Sequence, residues 1–279
     1  MKIIAFLAIF LSLFSITFSF HHPLPVRSYM KKISNKEIKV IEPIKPDRKD
    51  TYSVIFLTGG NNFITNDIYN HFLNTLASYK FSIICVPSNF DDYEFLLDEL
   101  NKKYKGIITL QHSSSTILSV KLSKLNKKVK NLIFLDPVDN RIFFEEYRKI
   151  NNKINLENAS NVLFLNAENS YKWSLKPLII PFIPFLSLKP ESFNFNEKCK
   201  VTTIKAKNFG HTDILDKKWG DFMHNSKICA GNQNRDFNYL NYYHKWLSKI
   251  IHYFSYYDAS KITKTIKKNG IDYDINSYQ

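Results

Sequence analysis

The sequence predicts an α/β fold with a mostly parallel central sheet flanked by helices. Three observations carry that expectation. Short apolar runs rich in β-branched and aromatic residues alternate with longer stretches of helical periodicity. The runs are continuously apolar rather than alternating, as strands covered on both faces are. The chain has 279 residues, 44% of them hydrophobic with 23 Phe and 16 Tyr, enough for one large core.

The elements follow in order. Lys2 precedes an uncharged stretch from Ile3 to Phe20 that ends in the small and polar SITFSF. It reads as a signal peptide over 1–19, cut after Ser19, for the secretory pathway. Left uncut, it is also long enough for a signal anchor. Residues 20–50 hold eight Lys/Arg against four Asp/Glu and read as a basic leader or linker. A signal, an aromatic residue and a basic leader together resemble the bipartite targeting sequences of complex plastids. A secreted or endomembrane protein with an unstructured linker is the alternative.

The regular domain is expected over 51–257. YSVIFLT (52–58) reads as a strand stopped by Gly59-Gly60, and 66–79 as a helix capped by Asn66 or Asp67. FSIICVP (81–87) is a strand, and 91–104 is a helix that opens on acids and closes on lysines, as the helix dipole favours. GIITLQ (106–111) is a strand and 114–125 a helix. Further strands are expected at 129–137, 161–168 and 199–206, and an amphipathic helix at 236–254. Four prolines interrupt the apolar stretch 175–190, which reads as a lid or wall for an apolar chain, or as a buried connection. The polar tail 258–279 is expected to fray.

The formal charge of +14 invites nucleic acid or an anionic membrane surface as partner. The lysines, however, are spread along the chain with modest clusters at 121–130 and 261–268, and no stacking aromatics accompany them at nucleic-acid spacing. They read as solvated faces, with membrane-surface association left open and nucleic acid excluded. Cys85 lies in an apolar run and reads as a buried thiol. Cys199 and Cys229 flank a loop-rich segment, and an oxidising compartment would permit their pairing. No histidine has a second ligand at metal spacing, so no metal site is expected.

In a doubly wound sheet the chemistry gathers beyond the carboxyl ends of the strands. Ser113 follows the GIITLQH strand and opens a helix, Asp136 follows NLIFL, and His211 follows VTTIKAKNFG. Ser, Asp, His is the chain order of the α/β-hydrolase fold. A serine hydroxyl needs a base to become a nucleophile, an imidazole can take and return its proton, and a carboxylate fixes the imidazole tautomer. Asp139 and Glu168 compete with Asp136 for the acid role. Two backbone N–H donors are expected for the oxyanion, from Ser114 after the nucleophile and from Gly60 in the loop after the first regular strand.

At these positions the chain resembles the chlorophyllases. QHSSST is similar to their G-H-S-x-G-G elbow, FLDPVDN to their DPVDG, and NFGHTDILD to their G-H-x-D-x-L-D motif. LASYKFSIICVP and the cysteine-containing strand FNEKCKVTTIKA add weaker agreement, and the family also has a cysteine where Cys229 falls. The resemblance covers roughly 52–255. It implies a cofactor-free serine ester hydrolase that removes phytol from chlorophyll, with Ser113 as nucleophile, Asp136 as acid and His211 as base. Phe182, Phe185 and Leu186, in the proline-broken stretch, are the candidate substrate contacts. The departures are Gln111, Ser115 and Thr116 in place of elbow glycines, and Thr58 in place of a histidine in the oxyanion loop. Two alternatives accompany this reading: a lipase or esterase of the same fold acting on another long-chain ester, and an inactive homologue that binds pigment or lipid.

Overall fold

The computed structural model describes residues 23–60, 62, 64–139, 153–171, 187–226, 231–232, 236–257, 262 and 271–278. The signal segment, Cys229, Phe182, Phe185 and Leu186 lie outside them.

Eleven strands and five α-helices are used below. The strands are β1 (Val26–Ile33), β2 (Lys36–Pro43), β3 (Tyr52–Leu57), β4 (Phe81–Cys85), β5 (Gly106–His112), β6 (Val129–Leu135), β7 (Ile154–Leu156), β8 (Asn161–Ala167), β9 (Phe193–Phe195), β10 (Lys200–Ala206) and β11 (Tyr273–Tyr278). The helices are α1 (Asn70–Ala77), α2 (Tyr93–Lys103), α3 (Thr116–Leu125), α4 (Lys217–Asn225) and α5 (Phe237–Tyr256). Nine strands form one sheet in the order β1-β2-β4-β3-β5-β6-β8-β10-β11, while β7 and β9 pair separately. From β4 to β10 all neighbours are parallel; β2 joins β4, and β11 joins β10, antiparallel. This is the α/β-hydrolase fold, and the six strands read from the sequence form its parallel centre.

Alternate residues of those strands feed two cores. On one face Phe56, Ile108 and Ile133 pack with Phe72 and Leu76 of α1 and with Trp246 and Ile250 of α5. On the other, Ile55 and Leu57 pack with Leu96 and Leu100 of α2, and Phe134 and Phe164 with Ile117 and Val120 of α3. Central strands buried on both sides have no polar face, which explains their continuous apolar runs.

Both flanking segments differ from expectation. Residues 26–43 are not a linker but a hairpin whose turn residues, Ser34 and Asn35, sit at φ 47° and 63°. That is the mirror-image turn that suits the twist of a two-residue hairpin. Ile38, Val40 and Ile41 bury its inner strand, and lysines on the outer residues mask the strand pattern. Glu42 is fully buried and accepts hydrogen bonds from Arg27 (2.7 Å), Tyr29 (3.1 Å) and Ser82 (3.3 Å). The supposedly frayed tail contributes β11, an edge strand registered on β10 from Val201↔Tyr278 to Ala206↔Tyr273.

Candidate active site

The three candidate residues stand at the carboxyl ends of β5, β6 and β10. His112 ends β5 in an extended conformation, and Ser113 then turns to φ 57° before a 3₁₀ turn leads into α3. The left-handed region costs a β-carbon-bearing residue about 1–2 kcal/mol. Neighbours hold it there. The Ser113 carbonyl accepts from Val138 N–H at 3.0 Å, and Ser115 Oγ donates to the Thr58 carbonyl. Ser115 therefore replaces an elbow glycine by tying the elbow to the neighbouring loop.

Gln111, the other replacement, is fully buried. Its strand partners are Leu57 and Phe134, and neither amide atom has a hydrogen-bond partner among the described residues. An amide without partners costs about 1–3 kcal/mol.

Asp136 leaves β6 at φ 43°, and its carboxylate is held by two donors. Ala167 N–H reaches Oδ1 at 2.7 Å, and Ser170 Oγ reaches Oδ2 at 2.8 Å. Oδ2 also lies 3.7 Å from His211 Nδ1, an ion-pair separation slightly longer than a hydrogen bond. Such contacts commonly shorten once substrate is bound. Glu168 is differently engaged: its Oε2 accepts the Asn208 N–H at 3.1 Å and so shapes the loop that carries His211.

That loop is stiff. Gly210 N–H donates to Asp213 Oδ2 at 2.7 Å, Asn169 N–H to the Phe209 carbonyl at 2.7 Å, and Phe209 stacks on Tyr239 and Tyr243 at 4.6 and 3.9 Å. The sequence motif GHTDILD is thus explained locally, because Asp213 closes the turn that presents His211.

His112 faces His211 directly, with ring centroids 4.4 Å apart and planes tilted by 30°. Burial, reinforced by the nearby His211, holds His112 well below the ordinary histidine range and hence neutral. Its Nδ1 pairs with Tyr69 Oη at 2.9 Å, and the same hydroxyl accepts the Gly59 N–H at 3.3 Å. Tyr69 therefore links the oxyanion loop to the histidine stacked on His211. No sequence motif marked Tyr69 or Ser170; only the fold brings them to the site.

The loop after β3 is pinned by Asn62. Asn62 Oδ1 accepts from Thr58 N–H at 3.0 Å and Thr58 Oγ1 at 3.1 Å, and its Nδ2 donates to the Val86 carbonyl at 3.1 Å. A β-carbon on Gly59 would meet both Ser113 Cβ and Tyr69 Oη at 3.4 Å, so the loop lies against the elbow. Gly60, the expected donor, sits at φ 62°.

The possible pairing of Cys199 with Cys229 falls outside the described residues, because Cys229 does. Cys199 is a free thiol buried at the start of β10, and burial pushes it up to about 11. Its sulfur packs among the apolar side chains between α3 and the sheet.

No protein-family model matches the chain. No curated protein matches it. Among solved structures, an esterase of the fungus Rhizomucor miehei aligns at 13% identity over 52% of this chain and 67% of its own, with a TM-score of 0.37. Esterase B from Lactobacillus rhamnosis, solved with a tributyrin phosphonate, aligns at 11% identity over 60% and 74%, with a TM-score of 0.37.

Proposed function

We propose that this protein is a serine carboxylic ester hydrolase in which Ser113 attacks the ester carbonyl, His211 shuttles the proton and Asp136 orients His211. The observation that carries this reading is the Ser113 backbone. A serine is held at φ 57° on a strand-to-helix turn, and the preceding residue stacks on a histidine that an acid contacts at 3.7 Å. A serine serving only as a helix cap has no need of such strain, and strain of this kind gathers at reactive sites.

In the acylation step Ser113 Oγ bonds to the ester carbonyl carbon while its proton passes to His211. The oxyanion is met by the Ser114 and Gly60 amides. The imidazolium, steadied by Asp136, then protonates the leaving alkoxide, and water repeats the sequence to release the acid. The motifs FLDPVDN and NFGHTDILD favour the phytol ester of chlorophyll as substrate, with Phe182, Phe185 and Leu186 as contacts for the alcohol chain. A signal-led route to a complex plastid would fit that substrate. A different long-chain ester remains the alternative within the same chemistry.

The test is covalent labelling. A fluorophosphonate should modify Ser113, with no adduct in Ser113→Ala and a strongly slowed reaction in His211→Ala. Chlorophyllide release is then compared with hydrolysis of a simple long-chain ester. No adduct on folded protein would leave a pigment- or lipid-binding homologue as the reading.

A further inference from the structure

Large aromatic side chains are exposed on α4 and at the start of α5. On α4, Trp219 is 42% and Phe222 54% exposed, and their rings meet at 6.3 Å. At the start of α5, Phe237 is 56% exposed. Lys218 shares the outer face of α4 with Trp219 and Phe222 and is exposed.

Both helices connect to the rim that carries the candidate catalytic groups. α1 begins just beyond the loop after β3, and its first turn anchors both aromatic helices. His71 N–H donates to Asp216 Oδ1 at 2.8 Å, and Asp216 immediately precedes α4. The His71 ring meets the Phe237 ring at 5.6 Å. Only the loop from His211 to Asp216 separates the candidate base from α4.

We infer that Trp219, Phe222 and Phe237, flanked by Lys218, form a docking surface for an anionic phospholipid bilayer. Aromatic side chains with a polar or cationic rim favour the headgroup boundary, where the ring is desolvated and the ammonium stays beside phosphate. The chain's charge of +14 complements such a surface and opposes self-association through this face. The inference rests on the ester-hydrolase reading for its purpose, delivery of a membrane-dissolved ester to Ser113, but not for its evidence.

The experiment uses full-length Ser113→Ala protein, so that no turnover intervenes, and phosphatidylglycerol/phosphatidylcholine vesicles with brominated acyl chains. The emission difference between this protein and its Trp219→Phe derivative isolates Trp219 from the buried Trp246 and from any other contact of the chain with lipid. Expected are quenching and a blue shift of that difference with anionic vesicles, little change with phosphatidylcholine alone, and loss at high salt. Lys218→Glu should weaken binding on the order of tenfold, and Phe222→Ser/Phe237→Ser by a similar factor or more. Unquenched, water-like Trp219 emission on vesicles that sediment the protein would overturn the inference. So would a blue shift that depends on protein concentration without lipid, since it would assign the face to a second copy. Soluble-ester turnover by the parent without docking sinks this inference alone, whereas docking without a fluorophosphonate adduct sinks the hydrolase reading alone.

Discussion

The two sides of the candidate site reach the same kind of backbone by different means. On the acid side, Asp136 holds φ 43° with its polar groups engaged: Ala167 and Ser170 donate to its carboxylate, and its N–H donates to the Leu165 carbonyl. On the nucleophile side, Ser113 holds φ 57°, a backbone that glycine adopts without strain, and Gln111 carries a buried amide with no partner among the described residues. Strain is compensated by hydrogen bonds on one side. On the other the turn is held from outside, by Val138 N–H on the Ser113 carbonyl and by Ser115 on the Thr58 carbonyl. A glycine-poor elbow thus keeps its left-handed turn through ties to the adjacent loop, at some cost in stability.

The largest test of the contrast concerns which carboxylate matters. Asp136→Asn should lower kcat by about 10⁴, as expected when the base loses its orienting charge, while Glu168→Gln should stay within about tenfold of the parent because it only supports a backbone N–H. Steady-state kinetics on a soluble ester measure both, and equal losses would move the acid role to Glu168. Next, Asn62→Ala removes three side-chain hydrogen bonds at a position with φ 68°. A loss of about 2–4 kcal/mol in urea unfolding is expected, together with slower labelling of Ser113. Normal labelling would show that the loop keeps its shape unaided.

Gln111→Leu should do the opposite. Replacing an unpartnered amide between Leu57 and Phe134 with an apolar side chain of similar size should stabilise the fold by about 1–3 kcal/mol. The labelling rate should be preserved, and a lower melting temperature would mean that the amide has a structural use.

The smallest expected effect is on pH dependence. His112 is held below its ordinary value of 6.5, so the unfolded chain binds more protons there than the native one. Its contribution is complete above about pH 6.5 and is lost as pH falls toward the depressed native value. Burial shifts His71 in the same direction. Melting temperature should be flat from pH 7 to 8 and fall toward pH 5, with a shallower fall in His112→Gln; an unchanged slope would assign it to other groups.

Much of this was legible in the sequence, and the physical reason is clear for each part. β3 to β6, β8 and β10 are apolar on both faces, so their runs stand out, and Asp136 and His211 lie in short motifs whose turns close locally, as Asp213 shows. β1 and β11 were missed because edge strands need only one buried face and carry lysine, aspartate or asparagine on the other, and β2, next to the edge, is masked by Lys36, Glu37, Lys39 and Glu42. Tyr69 and Ser170 were missed for a different reason. They act through tertiary contacts across 43 and 34 residues, and no local pattern encodes a partner at that distance.

The hairpin has a consequence for the life history of the chain. Arg27 and Arg48 belong to the basic stretch 20–50, and in the folded molecule both lie within ion-pair distance of the buried Glu42. Leu24 N–H is already committed to the Ser78 carbonyl, so the folded body begins almost where the basic stretch does. A cut that removed both β1 and β2 would uncover the edge of β4 and expose it to pairing between molecules.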